Sequence, residues 1–174
     1  MRNPVKNFWY ELDRVSNLIE LLITCHPRGF SILLGEAKEP TSREIHEMMN
    51  SQRVGMPDDF KPSTRSNEVE AERIVYDREY FDKSVEIAGG WSHIHLVSKE
   101  FKNVDSRMWA VVMDHVKFIG NANTRHMSRL GYIAGTYGLS PNTIMKYRRE
   151  FSQKLAEMLL MPPSDCDNFY LLPG

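Results

Sequence analysis

Apolar positions recur at steps of three and four from the start of the chain. Phe8, Leu12, Val15, Leu18/Ile19 and Leu22 mark one stripe over residues 8–25, the period of an amphipathic helix. Pro4 lies near its start, and Pro27 cannot continue its hydrogen-bond ladder, while Gly29 can take a left-handed cap. The aromatic run Phe8-Trp9-Tyr10 reads as core or as a surface for another chain. Residues 30–34 (FSILL) form a short apolar run closed by Gly35, and a strand or a buried helical turn fits it equally. Thr41 and Glu44 have capping-box spacing, so a short helix carrying Ile45, Met48 and Met49 should follow. Residues 51–67, with Gly55, Pro57 and Pro62, read as a loop or linker. A polar helix is expected over 67–88, with Val69, Arg73, Tyr76, Tyr80 and Val85 along it and Gly89-Gly90 as its stop. Residues 91–101 admit two readings: WSHIHLV alternates like a strand, whereas HLVSKEF suits a helix. Asp105 can cap a helix over 107–119, whose core face would be Trp109, Val112, Met113 and Val116.

After a polar break at 120–124, residues 130–160 carry the most informative pattern. Leu130, Ile133 and Ala134 share a helical face, Gly138-Leu139 interrupts, and Ser140-Pro141 restarts. Ser is a preferred N-cap and Pro suits the first helical position. Ile144, Tyr147, Phe151, Leu155 and Met158/Leu159 then recur as one stripe. The spacing is that of a helix-turn-helix: a small residue at the helix approach, a glycine where the turn needs positive φ, and an isoleucine plugging the second helix. The polar face of that second helix carries Asn142, Thr143, Lys146, Arg148 and Arg149. Amides and hydroxyls can pair with base edges and cations with phosphates. A helical hairpin with a merely solvated basic side remains the alternative. Beyond Met161, Pro162-Pro163 is a stop before a short apolar tail.

Composition changes the picture little. With 41% hydrophobic and 26% charged residues, the chain is of ordinary globular type. A net charge of −1 gives no overall attraction to nucleic acid, so any such contact must be local. Seven cations stand against one acid between Lys117 and Lys154, whereas nine acids stand against five cations between Ser66 and Asp105. Two cysteines, Cys25 and Cys166, make no disulfide framework and suggest a reducing compartment. Without a signal-like or membrane-length apolar run, a cytoplasmic protein with no membrane contact is expected.

Catalytic signals are sparse. His93 and His95 would share a face if on a strand, which can suit a metal, but no further ligands follow at metal spacing. Cys25-His26 would need the distant Cys166 to complete a site. Asp58-Asp59 sits beside Pro57 and reads as a turn, and no phosphate-cradling loop or nucleophile elbow occurs. No enzyme activity, cofactor or metal is expected.

The segment LGYIAGTYGLSPNTIMKYRREFSQKL resembles the region-four helix-turn-helix of sigma factors, at Leu130, Ile133-Ala134, Gly138, Ser140, Thr143 and Ile144. Chain length and order are similar to small phage late-gene regulators, including Q-type antitermination proteins. The resemblance covers about residues 105–161 and implies a regulator that loads from DNA and acts on RNA polymerase. The expected fold is mainly α, a helical domain with a C-terminal helix-turn-helix (about 126–160) and room for one short β-hairpin. Its organisation would be a helical segment and linker (1–62), a DNA-binding region (63–161) and a tail (162–174). Candidate double-stranded-DNA contacts are Ser140, Asn142, Thr143, Lys146 and Tyr147, with Arg148, Arg149, Arg125 and Arg129 on the backbone. Three or four side chains per half-site give modest affinity, so a homodimer or a partner is expected. Two rival classes are a phage packaging (small-terminase-like) or replication protein, and an adaptor that binds no DNA.

Overall fold

The computed structural model describes residues 4–53, 67–119 and 126–161. Within them the protein is mainly helical: α1 (Pro4–Cys25), α2 (Gly29–Leu33), α3 (Ser42–Arg53), α4 (Asn67–Ile87), α5 (Trp91–Val104), α6 (Ser106–Ile119), α7 (His126–Tyr137) and α8 (Pro141–Leu160). No strand occurs among the described residues. The expected boundary at 62/63, the break at 120–124, Asp58-Asp59, Cys166 and the tail lie outside them. No helix of the described residues is long and apolar enough to cross a membrane.

α1 is the central rod. Leu12, Val15, Leu18, Ile19, Leu21, Leu22 and Ile23 are all buried, and a helix apolar around most of its circumference must be surrounded. Its neighbours are α8, α4, α2, α3 and α6. Its first turns run past these neighbours, so Phe8, Trp9 and Tyr10 are exposed rather than core. Gly29 takes no left-handed cap; it opens α2, and a Cβ there would stand 2.0 Å from the Leu22 carbonyl oxygen. A ring cluster from four helices fills the centre. Phe151 of α8 lies 5.7 Å from Phe30, 5.3 Å from Phe101 and 5.5 Å from Trp109, centroid to centroid.

Two readings left open at 30–34 and 91–101 resolve as helix, and the β-hairpin is absent from both. In α5 the buried residues are Ile94, Val97, Ser98 and Phe101, a helical period that outweighs the short W-x-H-x-H alternation. His93 and His95, two residues apart on a helix, point roughly 200° apart rather than to one face. His93 Nε2–H donates to the Leu159 carbonyl at 2.9 Å, and His95 stacks on Trp91. Among the described residues no group of His, Cys, Asp and Glu could hold a metal. α4, whose sequence shows no single apolar stripe, nevertheless buries one face. Asp77, Phe81, Ser84 and Val85 turn inward, and Val69, Tyr76 and Tyr80 are exposed. Asp77 is accommodated because the His46 Nδ1–H donates to it at 2.8 Å, and a buried carboxylate needs such a partner.

Thr41 caps α3 as the capping-box spacing requires: its Oγ1 accepts from Glu44 N, and Glu44 Oε1 accepts from Thr41 N, both at 3.2 Å. The other Glu44 oxygen accepts from His26 Nε2–H, while His26 Nδ1 accepts from Arg28 N at 3.0 Å. The His26 bond first, then the Thr41 N–H, holds the Glu44 carboxyl below its ordinary 4.5. A lowered acid stabilises the fold fully above its unfolded value and loses that contribution as pH falls through the folded one. Glu44→Gln is therefore expected to narrow the gap between melting temperatures measured at pH 7 and pH 3, read by circular dichroism.

Candidate nucleic-acid interface

α7 and α8 are joined by three residues, and each has a local task. Gly138 has φ +66°, and Leu139 N–H donates to the Ala134 carbonyl at 3.0 Å. This is a Schellman ending, in which a left-handed residue closes the helix and the next apolar one packs back. Leu139 does so, against the buried cluster of Val111, Leu130, Ile133 and Ile144. A Cβ on Gly138 would meet nothing within 4 Å, so the turn selects glycine for its backbone, not for space. Ser140 Oγ accepts from Thr143 N at 3.2 Å and lies 2.8 Å from Thr143 Oγ1, and Pro141 follows in the first turn.

A second, small core fixes this unit. Val111 of α6, Leu130 and Ile133 of α7 and Ile144 of α8 are buried together, apart from the main cluster, and half-buried Tyr147 touches both. α6 therefore has two inner faces. Met108, Trp109 and Val112 meet the bundle while Val111 meets α7, so Met113, expected in the core, is exposed. Polar contacts add to the attachment. Arg107 Nη2 donates to the Tyr137 carbonyl at 2.6 Å, and the Tyr137 hydroxyl donates to Asp114. That bond to Asp114, with some desolvation, pushes the Tyr137 phenol up to about 12, so it stays a donor at neutral pH. Arg107, Val111 and Asp114 share one face of α6, a mixed polar stripe that the apolar pattern alone passes over.

The candidate contact residues fall into three groups. Asn142, Lys146 and Arg149 are exposed at steps of four and three, with Gln153 continuing the line. Ser140 and Thr143 are engaged in the cap. Tyr147 and Arg148 face inward: Arg148 is half-buried, 3.9 Å from Glu20 of α1, and Ser152 donates to the same carboxylate at 3.0 Å. Arg125 lies outside the described residues. Arg129 is on α7, with its side chain outside them. The exposed line is not purely cationic. Glu150 stands between Lys146, at 3.9 Å, and Lys154, at 3.6 Å. Pairs so open to water contribute little and exchange readily for a stronger anion. Beyond Arg149 the line meets a groove between α8 and α1 whose wall includes exposed Trp9.

No protein-family model, no curated protein and no solved structure matches this chain.

Proposed function

We propose that this protein is a sequence-specific DNA-binding transcription regulator in which α7, the turn and α8 work as a helix-turn-helix. The N-terminal half of α8 enters the major groove, Asn142 and Lys146 meeting base edges and Arg149 the phosphate backbone. Ser140 and Thr143 hold the helix start in register, and Arg125 and Arg129 add phosphate contacts. The observation that carries this reading is the exposed Asn142–Lys146–Arg149 line on a helix whose other faces are fixed by two cores. A rigid support of that kind lets a few side chains be placed accurately.

The sigma-like pattern favours a more specific form, a phage late-gene antitermination factor. It would load from a DNA site, as a homodimer or with a partner, and act on RNA polymerase in the cytoplasm. The exposed Phe8, Trp9 and Tyr10 provide aromatic area of the type enriched at protein–protein contacts. The protein is expected to stay on a duplex carrying its target at moderate salt, with affinity falling steeply as salt rises. In run-off transcription with purified polymerase it should raise readthrough of a terminator, dependent on a promoter-proximal sequence. New initiation without readthrough would point to activation instead, and a native mass of a large ring to packaging. No retention on any duplex, together with unchanged transcripts, would overturn the proposal.

A further inference from the structure

We infer that the cavity between the α1–α2 junction and α6 binds a small organic anion with an apolar body. Its volume is about 670 Å3, within the roughly 300–1,000 Å3 typical of small-molecule sites. Ile23, Phe30, Met113 and Val116 give it apolar walls, and Arg28 and Lys117 give it two cations. Among the described residues no carboxylate lines it. Two acids on adjoining elements are turned to other partners, Glu44 to His26 and Thr41, and Asp114 to Tyr137. His26, which also lines the cavity, has both ring nitrogens engaged, by Glu44 and by the Arg28 N–H.

That combination selects a ligand class. A simple inorganic anion would leave the apolar walls wet, forgoing the gain from burying them. A neutral hydrophobe would use the walls alone and gain nothing from Arg28 and Lys117, which stand exposed at the rim. A carboxylate, sulfonate or phosphate on an aromatic or aliphatic body satisfies both. The Arg28 guanidinium offers a planar fork suited to such oxyanions, and Lys117 a mobile point charge. The occupant would lie on α6, the helix whose other side fastens α7, but the inference does not depend on DNA binding.

The test uses the full chain and 1-anilinonaphthalene-8-sulfonate, an aromatic anion that fluoresces on leaving water. Saturable binding near one per chain is expected. Arg28→Ala and Lys117→Ala should each weaken it about tenfold, equivalent to about 1.4 kcal/mol, without lowering the melting temperature. The uncharged N-phenyl-1-naphthylamine should bind the wild type more weakly by a similar factor. Cys25 borders the cavity and is a free, half-buried thiol, so it supplies a second readout. In a Cys166→Ser chain, saturating sulfonate should slow its alkylation by iodoacetamide, and the Arg28→Ala/Lys117→Ala chain should lose that protection. Non-saturable binding, affinity indifferent to both cations, equal binding of the neutral probe, or an unprotected Cys25 would each overturn the assignment.

Discussion

Replacing Phe151 with alanine is expected to destabilise the protein by about 3–5 kcal/mol, the upper range for truncating a buried aromatic. The ring is fully buried, and its neighbours Phe30, Phe101 and Trp109 come from α2, α5 and α6. Each of those helices is also held by other contacts, so the walls cannot all move inward to close the void. The cost then includes the empty volume as well as the lost transfer energy, and the edge-on contacts to Phe30 and Phe101 add to it. For a chain of this size the melting temperature should fall by about 10 °C. Phe8→Ala, by contrast, removes an exposed ring from the first turns of α1 and should change stability by no more than about 0.5 kcal/mol. Urea unfolding of both variants tests the contrast. A loss under ~1.5 kcal/mol for Phe151→Ala would show that the four-ring centre can collapse, contrary to the packing described.

What could be read from the sequence depended on how many sides of each helix are covered. α3 and α8 begin where their caps predict, because capping is decided by a few adjacent residues: Thr41 with Glu44, and Ser140 with Thr143 and Pro141. The glycine of the turn was legible for the same reason. Burial was harder to read. A helix with one apolar stripe reveals its inner face, but α6 is packed on two sides, so its apolar pattern points Met113 inward and does not single out Val111, which lies in the second core. In α4 the inward face begins with an acid, Asp77, that the distant His46 helps make tolerable. No local pattern distinguishes it from the other carboxylates of that helix. Arg148 shows the same limit at the candidate interface. It lies beside Arg149 in sequence, yet α1 brings Glu20 to it, and the two arginines end on different sides. The exposed line was therefore partly legible, as Asn142, Lys146 and Arg149. The share of the polar face that α1 covers was not.

Reversing charge on that line should separate a DNA-binding α8 from a merely solvated one. Lys146→Glu with Arg149→Glu is expected to weaken binding to a duplex more than ~100-fold at moderate salt. Residual binding should have a log–log salt slope shallower by about 1, since Arg149 is the phosphate contact removed and each such contact is worth about one unit. Stability should barely move. Lys146 is exposed and its pair with Glu150 spans 3.9 Å, so the reversal costs only the few tenths of a kcal/mol of a like-charge pair one turn apart. Glu150→Gln supplies the opposite sign. It removes the acid between Lys146 and Lys154 and should tighten duplex binding several-fold while steepening the salt dependence. An adaptor that binds no DNA predicts no change in either direction, because neither substitution reaches a core. Opposite shifts from two substitutions one turn apart, at constant melting temperature, cannot come from partial unfolding, which would weaken binding in both. Fluorescence anisotropy with a labelled duplex across a salt series reads both effects. Equal affinities for wild type, double variant and Glu150→Gln would mean that this face of α8 does not meet DNA.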